Sequence, residues 1–126
     1  MHKWLVYIAF GWLTLTGIAH FVIDVVSHHV RGVHPPGAQA TLLYYGLHSA
    51  YALGQVALGA LGLMVAARAL PLLGTTPPLA LALLAGLGWL AISFLFSPYL
   101  PPRINAGVFC ALVLAAWMAR PGAMAG

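Results

Sequence analysis

The sequence predicts an all-α, polytopic membrane protein, a four-transmembrane-helix bundle of up-down-up-down topology, and three observations carry that expectation. Charged residues make up 5% of the chain and hydrophobic residues 63%, whereas a soluble domain normally carries about a quarter charged residues. Four apolar runs, about 4–26, 41–67, 78–96 and 102–119, each approach the roughly 20 residues with which a helix crosses a hydrocarbon core of about 30 Å. These runs are also too long for barrel strands and lack their alternation, which leaves helices as the structure that lipid tolerates. Residues 1–126 read as one integral membrane domain.

The first run opens behind Lys3. Gly17-Ile18-Ala19 has the small residues of a cleavage site, but the apolar run continues beyond it through "FVIDVV", so it reads as a retained helix rather than a signal peptide. "SHHVRGVHPPGAQA" separates the first two runs, "RALPLLGTTPP" the next pair and "SPYLPPR" the last, each rich in the proline and glycine that interrupt helices. Pro78 and Pro102 suit the first turns of helices three and four, where a missing N–H costs nothing. Lys3, Arg68 and Arg120 fall at one end of such a bundle and Arg31 and Arg103 at the other. By the positive-inside rule this places both termini in the cytoplasm of a bacterium, with the chain in the inner membrane. Trp4, Tyr7, Tyr99 and Trp117 fall near helix ends, as an interfacial belt requires, and Trp12 and Trp89 lie deeper, where they pack within the bundle. The five basic residues are scattered, which excludes a nucleic-acid surface. A single cysteine, Cys110, excludes an internal disulfide.

One carboxylate, Asp24, stands in the whole chain. An aspartate near the centre of a membrane helix costs about 2.5–3.5 kcal/mol on insertion scales, so a partner is expected. Thr16, His20, Asp24 and His28 are spaced by four and form one helical stripe. Tyr44, His48, Tyr51 and Gln55 form a matching face on helix two. At 1.5 Å per residue, His20 and His48 lie at similar depths in antiparallel neighbours. Asp24 is then expected near Tyr44 or His48, and His28 at the mouth of the site beside a loop carrying His29, Arg31 and His34. His29 and His34 themselves read as solvated or interfacial loop residues.

Imidazoles with a carboxylate are the ligands of a transition metal such as copper, zinc or iron, the carboxylate serving as ligand or as the acceptor that fixes an imidazole tautomer. His20, Asp24, His28 and His48 are the candidate metal ligands. The Asp24-x-x-x-His28 pair resembles a ligand pair of the membrane copper monooxygenases, a likeness confined to those two residues. A second form of the reading places a b-type haem between His20 and His48, flanked by Tyr44 and Tyr51. Gly17 and Gly46 would make room for the ring, and Arg31 or Arg103 would meet the propionates. That arrangement resembles the bis-histidine plan of membrane cytochrome b subunits, and helices packed too closely would exclude it. A haem, or copper or iron in the metal site, would suit the protein for electron transfer.

Two other classes use the same residues. In an accessory subunit of a larger membrane complex, or a homo-oligomer, the stripe would bond helices together, and Gly46-x-x-x-Ala50-x-x-x-Gly54, with Gly59 and Gly62, would allow close helix approach. A proton or ion relay would run along Thr16, His20, Asp24 and His28, but below Thr16 the stripe meets Trp12 and Ala9. A single acid excludes two-carboxylate catalysis, and no phosphate loop or activated nucleophile points to a particular reaction.

Overall fold

The computed structural model describes residues 1–120, and among them every regular element is helical. Four helices are long and apolar enough to span a bilayer: α1, His2–Val30; α2, Gln39–Ala69; α3, Thr76–Phe96; and α4, Leu100–Met118. α1 and α2 extend beyond the runs read from hydropathy because polar residues such as His28, His29 and Gln39 continue the helical backbone. α2 breaks at Ala69, whose φ of −147° and ψ of 48° leave the helical region, and Pro71 then sits in a 3-10 turn, Leu70–Gly74. Pro77-Pro78 and Pro101-Pro102 sit in the first turns of α3 and α4, where their missing donors are not required.

α1 is not a uniform α-helix. Phe21–Ser27 winds as a π-helix, whose i→i+5 hydrogen bonds widen the turn and which tends to occur at functional sites. Neither proline nor glycine in "FVIDVVS" announces it. The helix then closes in a Schellman motif: Val33 N donates to His28 O at 3.0 Å and Gly32 N to His29 O at 3.1 Å. Gly32 takes the left-handed conformation this motif needs, at φ 62°, which only glycine adopts without cost. The chain therefore turns back over α1, and Thr41 Oγ1 ties the returning loop to α2 by donating to Pro35 O at 2.8 Å.

α1 packs on α2 and on α4, and α3 packs on α4. The α1–α2 contact is close because glycine supplies it. A Cβ on Gly17 would lie 2.9 Å from both Gln55 Cβ and Val56 Cγ2, one on Gly59 would lie 2.8 Å from the Thr14 backbone nitrogen, and one on Gly62 would run into the Phe10 ring. The expected stripe at Gly46, Ala50 and Gly54 is not where this happens. Gly46 has open space beside it, Ala50 is exposed, and Gly54 would make only ordinary contact with Trp89, at 3.7 Å. Close approach thus runs through Gly17, Gly59 and Gly62.

The apolar core lies toward the His2 end, around Val6, Phe10, Leu13, Leu79, Phe109 and Val113. The same end is tied by His2 Nδ1, which lies 2.9 Å from Ala116 O, and by Arg120 Nη1, which donates to Thr76 Oγ1 at 2.7 Å. Trp12 and Trp89 pack inward as expected: Trp12 Nε1 donates to Asn105 O at 3.2 Å, and Trp89 stands edge-on to Tyr51 and Phe109. Large apolar side chains such as Leu15, Leu42, Leu53, Leu84 and Phe96 face outward, the surface a hydrocarbon solvent would favour.

Candidate metal site

Polar groups collect where α1 leaves its regular winding and α2 begins. His20 is the last residue before the π-helical turn and Asp24 lies within it, and residues four apart share one helical face. His20 Nδ1 lies 2.9 Å from Asp24 Oδ2. His48, from α2, brings Nδ1 to 3.1 Å from His20 Nε2. With the carboxylate ionised, the proton order follows from these two distances. Asp24 can only accept, so His20 carries its proton on Nδ1 and donates it; His20 Nε2 is then a lone pair that accepts from His48 Nδ1–H. Asp24 therefore fixes the tautomer of His20, and His20 that of His48.

The surrounding aromatic rings hold these imidazoles in place. The His20 and His48 rings stack at 5.0 Å and 24°, Tyr51 lies 5.1 Å from His20 and Tyr44 4.1 Å from His48. The Tyr51 hydroxyl is buried and meets no hydrogen-bond partner among the described residues. Side-chain exposure is 13% at His20 and 30% at Asp24, so the group is sheltered without being sealed.

His20, Asp24 and His48 each offer one ligand atom within 4.8 Å of the others, and together they could hold a metal ion. Two nitrogens bound to one tetrahedral ion through bonds of about 2.0 Å stand about 3.3 Å apart. The 3.1 Å separation of His20 Nε2 and His48 Nδ1 is within a small adjustment of that bite, and Asp24 already occupies the outer nitrogen of His20, as carboxylates do behind ligating histidines. A haem does not fit between the same pair. The two rings touch, leaving no gap for a macrocycle, and the space assigned to the ring at Gly17 is filled by Gln55 and Val56 of α2.

The other candidates are placed differently. His28 stands apart from the triad and pairs through Nδ1 with the Tyr44 hydroxyl at 2.9 Å. Arg31 Nε donates to Ser27 O, and Arg103 donates to Ser93 O and Ser97 O while covering the Phe94 ring at 4.9 Å. Arg103 thus closes the C-terminal end of α3, whose last carbonyls lack helical partners. Thr16 spends its hydroxyl on its own helix, at Trp12 O and Leu13 O, so it does not extend the polar group inward from His20.

His34 is the residue that sequence reasoning misplaced. It is not a solvated loop side chain: its ring lies 4.2 Å from Tyr44 and 5.8 Å from His28, with Nε2 buried and unpartnered among the described residues. Gly32 in "VRGVH" carried the signal, because a C-terminal glycine cap turns the following residues back onto the helix. No family model matches the chain, and no curated protein or solved structure matches it.

Proposed function

We propose that the chain is an integral membrane protein that binds one transition metal ion between His20 Nε2 and His48 Nδ1, with Asp24 orienting His20 from behind. The single observation that carries this reading is the Asp24–His20–His48 alignment, with 2.9 Å and 3.1 Å contacts and a nitrogen separation close to that of a chelated ion. Two imidazoles and a carboxylate suit zinc, copper or iron, and soft sulfur ligands are not among them. A redox-active ion held there, beside Tyr44 and Tyr51, would make the protein a small electron carrier. We place the site in the outer half of an inner-membrane bundle, with Lys3, Arg68 and Arg120 on the cytoplasmic side.

Metal-free protein loaded with Cu²⁺ provides the test, read by electron paramagnetic resonance. At one equivalent of Cu²⁺, coupling to two imidazole nitrogens in the wild type and a different, more weakly held spectrum in His20→Ala and in His48→Ala support the reading. A spectrum identical in all three proteins contradicts it.

A second reading is that of an accessory subunit, and one observation favours it: the Gly46 and Ala50 face of α2 meets no close neighbour among the described residues. Small residues on a free face allow another helix to approach. The mass of the detergent-extracted particle, compared between wild type and Gly46→Leu, tests this reading separately from metal content.

A further inference from the structure

Four aromatic rings form a continuous row from the α1–α2 loop to the inner triad. His34 lies 4.2 Å from Tyr44, Tyr44 lies 4.1 Å from His48, and His48 lies 5.0 Å from His20. His28 flanks the outer end of the row, with its ring 5.8 Å from that of His34 and tilted by 62°. Its contact with Tyr44 uses Nδ1, which leaves Nε2 for a further ligand. His34 Nε2 is buried with no hydrogen-bond partner among the described residues, and a buried imidazole nitrogen left unpaired is costly. Two imidazoles bound to one ion hold their ring centres roughly 5–6 Å apart when the metal–nitrogen bonds are about 2.0 Å. His28 and His34 already stand at that spacing.

We propose that His28 and His34 form a second, outer station for a divalent transition metal ion, through which the ion passes from the loop to His20 and His48. The inference rests on the metal reading of the inner site and adds a route to it. Tyr44 separates the stations: its hydroxyl holds His28 and its ring rests against His34 and His48. The outer station has two protein nitrogens and no carboxylate behind them, so it holds its ion more weakly than the inner one and releases it inward. The order is a gradient of ligand strength along one row of side chains.

The probe is Co²⁺, whose visible absorption reports its ligands, added to the full-length protein in detergent micelles and followed at equilibrium and by stopped flow. The wild type is expected to take two equivalents, the weaker one at the outer station. His34→Ala should take one and load the inner site at least tenfold more slowly. His34→Asn, which retains a polar side chain of similar reach in the loop, should show the same loss and serves if the alanine variant does not fold. His48→Ala should keep the weaker equivalent alone. If the wild type takes one equivalent, abolished by His48→Ala, and both His34 variants match it in amount and rate, the outer station is refuted while the inner site stands. If the wild type takes none, the inner reading fails and this inference fails with it.

Discussion

Replacing Gly17 by alanine tests whether the closeness of α1 and α2 sets the geometry of the metal site. The new Cβ would stand 2.9 Å from Gln55 Cβ and Val56 Cγ2, and 3.1 Å from the Val56 nitrogen. Carbon atoms in good contact lie about 3.5–4.0 Å apart, so the helices must separate locally by about 0.6 Å. One of the obstacles is backbone and another is a Cβ, neither of which can rotate aside. Overpacking of this kind costs about 1–3 kcal/mol. His20 follows Gly17 by one turn, and the same separation carried there takes the His20–His48 contact from 3.1 Å to about 3.7 Å, beyond hydrogen-bond range and beyond the bite of a tetrahedral ion. Metal affinity should therefore fall roughly tenfold or more, because a site loosened by a fraction of an ångström loses its pre-organisation. The assay is competition against a chromophoric chelator in detergent, beside thermal unfolding of the same samples. Gly46→Ala is the control, since its Cβ would meet nothing within 4 Å. If Gly17→Ala binds metal and unfolds like the wild type, the link between helix spacing and the site is wrong.

Other substitutions separate the site from its surroundings. Asp24→Asn keeps the shape of the side chain but removes the anionic acceptor behind His20, and chelator competition should show a 10- to 100-fold weaker ion, the usual cost of losing such a partner (about 10–100-fold). Thr16→Val should leave metal content unchanged and shift stability by no more than about 0.5 kcal/mol, because its hydroxyl bonds only its own helix; a loss of metal would restore Thr16 to the functional stripe. Arg103→Gln removes the guanidinium that closes α3 at Ser93 O and Ser97 O. It should lower stability by about 1 kcal/mol in denaturant titration and leave the Cu²⁺ spectrum as it was, whereas a changed spectrum would tie Arg103 to the site.

The helical class and the four spans follow from hydropathy, because hydrocarbon imposes its length on any helix that crosses it. The pairing of His20 with His48 was legible for the same reason: a rise per residue converts sequence position into depth. What periodicity could not supply was the local winding. The π-helical turn at Phe21–Ser27 contains no proline or glycine that announces it, and equal spacing along α1 does not tell that His28 pairs with Tyr44 while His20 joins Asp24 and His48. Of the small residues expected at a close contact, Gly59 and Gly62 are there and Gly46, Ala50 and Gly54 are not, because a small-residue spacing marks where helices can approach, not which face is used. Gly46 and Gly54 fit the pattern and stand free or nearly so, while Gly17, outside it, is filled by α2. His34 was hidden by the loop, whose path is set by the Gly32 cap and by the Thr41 bond to Pro35.

The most direct measurement is metal analysis by plasma mass spectrometry on the detergent-purified protein and its His20→Ala and His48→Ala variants, each shown by circular dichroism to be helical. The account predicts at least one transition metal ion per chain in the wild type, and one ion fewer in each variant. A metal-free wild type that cannot be loaded, or a metal content unchanged by either substitution, would contradict it and leave the Asp24–His20–His48 row as a helix-packing device.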